Sequence, residues 1–198
     1  MNSLGRVTKR IFDMVLSLIG ILLSFLIIAL ALIIASIETK SFGLFIQRRV
    51  GKDAKLFNVF KIKTMREVEG VEGTITTSTD MRITKSGKFF RDTKIDELPQ
   101  LFNVLFGSMS FVGPRPDVEG YADKLQGEDR LLLTIQPGIT GPASIKYKNE
   151  EELLSKQSNP KEYNDKVIWV DKVAINLEYI KNWSLKKDIK YIIKTVTG

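Results

Sequence analysis

The sequence predicts an α+β protein in two parts. Residues 1–40 form a membrane-inserted helix with basic flanks. Residues 41–198 form a small, mostly helical domain with one short β-hairpin and amphipathic surface helices. Three observations carry this. A run of 24 residues from Met14 to Ile37, MVLSLIGILLSFLIIALALIIASI, contains no charge. Two short segments rich in Val, Ile and Phe follow it. The remainder reads with helical periodicity broken by Gly and Pro.

The apolar run is about 36 Å long as a helix, enough for a hydrocarbon core of about 30 Å. It is too long for the core of a signal peptide, and no small-residue cleavage site follows. Its flanks are both basic: Arg6, Lys9 and Arg10 before, Lys40, Arg48, Arg49, Lys52 and Lys55 after. Positive flanks favour the cytoplasmic side. A straight span puts one of them outside, whereas a helix that bends and returns keeps both inside. Ser17, Gly20 and Ser24 can soften such a bend, and no proline enforces it. Both topologies stay open on these residues.

LFIQRRV (44–50) and KLFNVFKIKTM (55–65), separated by Gly51-Lys52-Asp53, predict the hairpin. Residues 66–80 are polar and rich in Gly and Thr, which predicts a mobile loop. A short basic helix and turn is expected over 84–95. A helix is expected over 97–107, with Pro99 in its first turn and Gly107 as its stop. Residues 135–144 read as a turn-rich loop, and 149–158 and 161–183 as helices. In 185–196, Leu185, Ile189, Ile192 and Ile193 share one side, with Lys186, Lys187, Lys190 and Lys194 around the other. That pattern suits an anionic membrane surface or a packed terminal helix equally.

Composition narrows the chemistry. The 30 Lys and Arg against 23 Asp and Glu leave +7, which favours an anionic partner. There is no Cys, so no disulfide forms, and there is no His. Ser-His and Cys-His nucleophile pairs and zinc sites built on His or Cys are excluded. Any metal must be held by oxygen, which points to Mg2+ or a similar hard cation. Nucleic-acid binding is not expected, because the basic residues follow no recognised module.

Asp96-Glu97 stands directly before an apolar run. Asp is a favoured N-cap, and Glu in a first turn suits the helix dipole, so a purely structural role is available. The neighbours favour chemistry. Arg91 lies five residues upstream. Arg115 is set between prolines in Gly113-Pro114-Arg115-Pro116, where its wandering is limited, and Arg binds phosphate bidentately. Lys61, Lys63 and Arg66 add a basic strand and turn. Pro137-Gly138-Ile139-Thr140-Gly141 can present backbone N–H groups to an anion. A carboxylate can act as a covalent nucleophile in phosphoryl chemistry, and an adjacent one can hold Mg2+.

KRIFD (9–13), QRRVG (47–51), FKIKTM (60–65), DELPQLFNVL (96–105), SFVGPRP (110–116) and PGITG (137–141), in this order and spacing, resemble the bacterial sugar transferase family. These are small monotopic phosphoglycosyl transferases, and the likeness runs from about Lys9 to about Thr195. The resemblance implies transfer of a sugar-1-phosphate from a nucleotide diphosphate sugar, usually a UDP-sugar, to a polyprenol phosphate, usually undecaprenyl phosphate. UMP leaves, and the reaction passes through a covalent phosphosugar–aspartate. It implies Asp96 as nucleophile, Glu97 as Mg2+ holder, and Arg91 and Arg115 as phosphate binders, with Lys61, Lys63 and Lys148 as further substrate-binding candidates. It also implies a re-entrant helix in the bacterial inner membrane with the catalytic domain at its cytoplasmic face. The chain departs from the family at two positions. Ser24-Phe25 stands where Ser-Pro is usual at the helix break, and Lys148 stands where an arginine is common. The rival readings are a membrane-anchored phosphatase or pyrophosphatase, and a non-enzymatic module that binds anionic lipid.

Overall fold

The computed structural model describes residues 3–66 and 81–198. The loop expected over 66–80 therefore lies, apart from Arg66, outside the described residues. The chain forms two compact units. One comprises Met1–Val15, Arg48–Phe57 and Val104–Gly198; the other comprises Leu16–Gln47 and Asn58–Asn103. The expected division at residue 40 concerns membrane insertion, whereas these units follow contacts.

Helix α1 runs from Ser3 to Thr39, well beyond the uncharged run. At 37 residues it is about 56 Å long. Its buried positions are Gly5, Lys9, Asp13, Ser17, Ile21, Ser24, Ile28, Ala31, Ala35 and Thr39. Their spacing of three or four residues makes one narrow stripe of mostly small or polar side chains. The remaining surface is apolar and exposed: Leu22, Leu23, Leu26 and Ile37 are each about 70% exposed or more. A soluble core helix has the reverse pattern. This is the one helix among the described residues long and apolar enough to cross a membrane. The helix is continuous through residues 17–24, where Ser24 Oγ donates to the Gly20 carbonyl at 2.6 Å.

In the first unit the KRIFD segment is a structural staple. Lys9 Nζ donates to Asp188 Oδ2 at 2.6 Å, with both side chains almost fully buried. Arg10 donates to the carbonyls of Val104 and Leu105 at 2.6 and 2.7 Å. These are among the last acceptors of α3 (Gln100–Phe106), where helix carbonyls lack intrahelical partners and a cation is favoured. Asp13 Oδ1 accepts from the Phe111 N–H at 3.2 Å. Gly107 follows α3 at φ +86°, the left-handed stop its position predicts.

Strands β1 (Leu44–Val50) and β2 (Leu56–Ile62) form the expected hairpin. A second, parallel pair was not legible in the sequence. β3 (Ser110–Val112) pairs with β4 (Gly138–Thr140), with Ser110 opposite Gly138 and Val112 opposite Thr140. The expected loop over 135–144 thus contains a strand. Three residues are too few to show alternation, and the glycines hide the pattern. Gly113, Gly138 and Gly141 are instead required by close backbone approach, since a Cβ on any of them meets backbone atoms.

α4 (Pro142–Lys146), α5 (Glu150–Ser155) and α6 (Pro160–Tyr163) precede a π-helical segment, Asn164–Ile168. That segment runs directly into α7 (Trp169–Lys181). The core of this unit gathers Val112, Leu132, Ile135, Val173, Tyr179 and Ile180. α8 (Leu185–Thr197) is packed and exposed at once. Asp188 is fully buried and Tyr191 and Ile192 lie against the core, while Ile189 and Ile193 remain exposed beside the lysines. In the second unit Ala31, Ala35, Ile62 and Phe90 form a small core, and α2 (Lys85–Asp92) packs on it through Phe90.

Breaking a buried pair strands a charge in low dielectric and costs about 3 kcal/mol or more. Lys9→Met is therefore expected to lower the melting temperature sharply. Lys9→Met/Asp188→Asn, which removes the stranded charge and keeps an acceptor for the Tyr179 hydroxyl, is expected to recover part of the loss, as read by thermal denaturation in detergent.

Candidate functional site

The acid pair sits in the second unit on a 3-10 turn, Ile95–Glu97, rather than at the N-cap of the following helix. Lys94 before it adopts φ +59°, a left-handed conformation uncommon for a side chain of this kind. The α2 helix ends at Asp92, the chain reverses through Lys94, and α3 begins only at Gln100. The expected helix over 97–107 is shortened accordingly, with Pro99 ahead of it rather than in its first turn. Helix grammar therefore gives no structural reason for an acid at position 96.

Two side chains position this turn, and sequence reasoning missed both. Asn103 of α3 accepts from the Phe60 N–H at 3.0 Å and donates to the Asn58 carbonyl at 2.7 Å. Its amide thus mimics a strand and clamps α3 to β2. Thr64, just past β2, accepts from Arg91 Nε at 2.9 Å. An amide and a hydroxyl in a strand–helix context carry no periodic signal, so only the fold reveals them.

The clamp sets Lys61 of β2 beside the acids. Lys61 Nζ donates to Glu97 Oε1 at 3.1 Å, with both side chains largely shielded. Asp96 is buried, and its Oδ1 has no hydrogen-bond partner among the described residues. Burial, and then the neighbouring Glu97, push the Asp96 carboxyl above its ordinary range, while Lys61, Lys94 and Arg91 pull it back. An unpartnered buried carboxylate oxygen is costly and calls for a ligand or a chemical use. Lys63 Nζ donates to Ser41 Oγ at 2.8 Å, just beyond the end of α1. Asp96, Glu97, Lys61 and Arg91 are therefore brought together, and Lys63 has a partner of its own.

Arg115 and Lys148 belong to the first unit, and both are exposed. The loop carrying Arg115 is stapled at its backbone. The Gly113 N–H donates to the Thr140 carbonyl at 2.9 Å, and the Gly138 N–H to the Pro114 carbonyl at 2.8 Å. Within the Pro137–Gly141 segment, whose backbone is expected to present N–H groups to an anion, Gly138 spends its N–H on holding the Arg115 loop.

No group of three or more acids suited to a metal is present among the described residues. Mg2+ commonly takes one or two protein carboxylates and completes its shell with phosphate and water. Glu97, with the open Asp96 oxygen beside it, fits that donor set.

A long helix with an exposed apolar surface, and an acid pair set beside a lysine with Asp96 buried and Glu97 half-buried, define a membrane-associated protein with a charged site. The chain belongs to the bacterial sugar transferase family, whose model matches residues 4–198. It is 40% identical over 99% of its length to a Klebsiella pneumoniae UDP-glucose:undecaprenyl-phosphate glucose-1-phosphate transferase. It is 35% identical over 99% to the protein of the same description from Escherichia coli. It is also 34% identical over 95% to an Aeromonas hydrophila UDP-N-acetylgalactosamine-undecaprenyl-phosphate N-acetylgalactosaminephosphotransferase. The chain spans 41%, 41% and 42% of these relatives' own lengths.

Because the folded protein raises the Asp96 pKa, its stability contribution is full below the unfolded value and is lost as pH rises through the folded one. Asp96→Asn is therefore expected to melt at the same or a higher temperature than the wild type near neutral pH. That gain is expected to vanish well below the ordinary aspartate pKa of about 3.9, where both states are protonated. Melting curves across pH check this.

Proposed function

We propose that this protein transfers a sugar-1-phosphate from a UDP-sugar to a polyprenol phosphate of the undecaprenyl class. The observation that carries the proposal is the buried Asp96 carboxylate. One of its oxygens is unpartnered, and it is flanked by Glu97, Lys61 and Arg91. The names of the relatives support the substrate classes. They differ in the sugar, so the donor is proposed only as a class.

An Asp96 oxygen attacks the sugar-linked phosphorus. The phosphoanhydride bond breaks, and UMP departs with the bridging oxygen. An oxygen of the polyprenol phosphate then attacks the same phosphorus and releases Asp96. Two anionic substrates thus use one phosphate site in turn, so neither must bind beside the other. The environment that raises the Asp96 pKa also makes its carboxylate more basic, hence a better nucleophile, while Lys61 and Arg91 favour its ionised form. Lys61 fixes Glu97 in orientation. Arg91, aligned by Thr64, binds phosphate oxygens, and Lys63 adds positive charge for the anionic substrates. For Arg115 and Lys148, in the first unit, phosphate binding is proposed from the family resemblance alone. Mg2+ held by Glu97 would neutralise diphosphate charge.

The same proposal places α1 in the cytoplasmic leaflet of the inner membrane, entering and leaving at one face, with the catalytic domain at that face and α8 on anionic lipid. The helix is nearly twice the thickness of a bilayer core of about 30 Å. Its protein-facing stripe continues to both ends, from Gly5 to Thr39. A straight crossing would carry that stripe, and what packs on it, through hydrocarbon. Both basic flanks also stay on the cytoplasmic side.

Intact mass of the purified protein with Mg2+ and a panel of UDP-sugars, without lipid, tests the covalent step. The expected result is a gain of one phosphosugar that is absent in Asp96→Asn and is discharged by undecaprenyl phosphate. UMP release without an adduct, independent of polyprenol phosphate, would favour the phosphatase reading. Neither product would favour a binding module. Topology is tested by Ser3→Cys and Ser41→Cys, each placed singly in this Cys-free chain. Both are expected to react from the cytoplasmic side alone, whereas labelling on opposite sides would establish a span.

A further inference from the structure

The apolar helix ends in a turn that the second unit holds firmly. Helix α1 stops at Thr39, and Lys40 follows at φ +52°, the left-handed position where glycine is usual. The chain then doubles back on the helix. The Gly43 N–H donates to Ser36 Oγ at 2.8 Å, and Ser36 Oγ donates to the Leu32 carbonyl at 2.7 Å. The Ser86 N–H and hydroxyl, at the start of α2, donate to Glu38 Oε2 at 3.2 and 2.6 Å. The Lys63 N–H donates to the Gly43 carbonyl at 2.6 Å, so the chain leaving β2 stays paired with the turn.

Side chains at the turn form a directed chain. Lys63 Nζ donates to Ser41 Oγ at 2.8 Å. Ser41 Oγ lies 3.0 Å from Thr39 Oγ1, which itself donates to the Ala35 carbonyl at 2.7 Å. Thr39 spends its proton on Ala35, so Ser41 is the donor to Thr39 and presents lone pairs to Lys63. The ammonium of Lys63 is thus fixed at the end of the apolar helix. Lys61, two residues earlier, is on Glu97 at 3.1 Å. Ile62 and Thr64 are buried, and the two lysines alternate with them. That alternation sets both lysines on one face of the extended chain, about 6.6 Å apart along it. All of these residues belong to the second unit. One strand face therefore leads from the end of the apolar helix to the acid pair in a single step.

We propose that Lys63, held by Ser41, is the subsite for the phosphate monoester of the polyprenol acceptor, while Lys61 serves the acids. The inference rests on the transfer reading above and assigns one of its two substrates. A polyprenol phosphate keeps its chain in hydrocarbon and its phosphate at the interface. It first meets the protein where an apolar helix ends. A UDP-sugar arrives from water and has no such constraint. Phe42, 75% exposed, lies in the turn and Phe45 just past it, and both offer the isoprenoid an apolar edge. Exposed Lys40 adds positive charge, and the acid of this region, Glu38, is taken up by Ser86. An ammonium on a flexible stem exchanges a hydroxyl for a phosphate oxygen without backbone movement. From there an oxygen of the acceptor attacks the phosphorus carried by Asp96. The bond from that phosphorus to Asp96 breaks, and Asp96 leaves as its carboxylate.

The test separates the two half-reactions of the full chain in nanodiscs of phosphatidylcholine, which has no net charge. The adduct is formed with UDP-glucose or UDP-N-acetylgalactosamine, whichever labels the wild type, freed of donor, and discharged with undecaprenyl phosphate. In Lys63→Met the undecaprenyl phosphate needed for half-maximal discharge is expected to rise about tenfold, the scale of one charge-assisted contact. Adduct formation is expected to suffer far less. Lys63→Arg is expected to restore discharge. Ser41→Ala, which keeps the charge and removes its holder, is expected to shift discharge in the same direction by less. An unchanged discharge in Lys63→Met, an equal loss in both half-reactions, or a loss seen only after phosphatidylglycerol is added overturns this inference and leaves the transfer reading standing. A wild type that forms no adduct, or whose adduct undecaprenyl phosphate does not discharge, overturns the transfer reading and this inference with it.

Discussion

A buried ion pair, Lys9 with Asp188, is the constraint on which the first unit depends. Two charges out of water are tolerable only when every oxygen and proton has a partner. Asp188 meets that condition: it takes Lys9 and Trp183 on Oδ2 and the Tyr179 hydroxyl on Oδ1. Burial and the carboxylate push the Tyr179 hydroxyl far above its usual range, so it remains a donor. The pair fixes the start of α1 against α8, at opposite ends of the chain. Arg10 and Asp13 then align α3 and β3 on the same helix. A stretch that reads as the basic flank of a membrane segment is thereby also the base on which the unit is built.

In the second unit the corresponding economy is the Asn103 amide. It joins β2 to α3 through two backbone groups, and the 3-10 turn between α2 and α3 is left to carry the acids. Asp96 is held buried with an open oxygen, in a field that two opposing effects set. Burial and Glu97 disfavour its charge; Lys61, Lys94 and Arg91 favour it. Groups whose ionisation is set by such opposing influences of burial and charge are concentrated at functional sites.

The chemical alphabet was legible in the sequence. Absence of His and Cys left any covalent chemistry to Asp/Glu, Ser/Thr, Lys or Tyr, the charge excess indicated an anionic partner, and the 24-residue uncharged run marked the long apolar helix. Asp96, Glu97, Lys61 and Arg91 were found from local crowding of charge, and the structure gathers them. The β3–β4 pair and the thread of the Asn103 amide were not found. Each joins residues far apart in the chain through backbone or single polar atoms, which leave no periodic trace. The glycines of Pro137–Gly141 were visible, but their reason was not. They answer to the approach of Gly113, a contact no local rule anticipates.

The sequence by itself determined composition, the long apolar helix and the identity of the acids, because these are properties of neighbours along the chain. Tertiary structure decided which charges are buried and which oxygen is left open. It decided that Lys61 faces Glu97, and that Lys9 meets Asp188. Those outcomes depend on desolvation and on distances between segments tens of residues apart. Neither quantity exists until the chain has closed on itself.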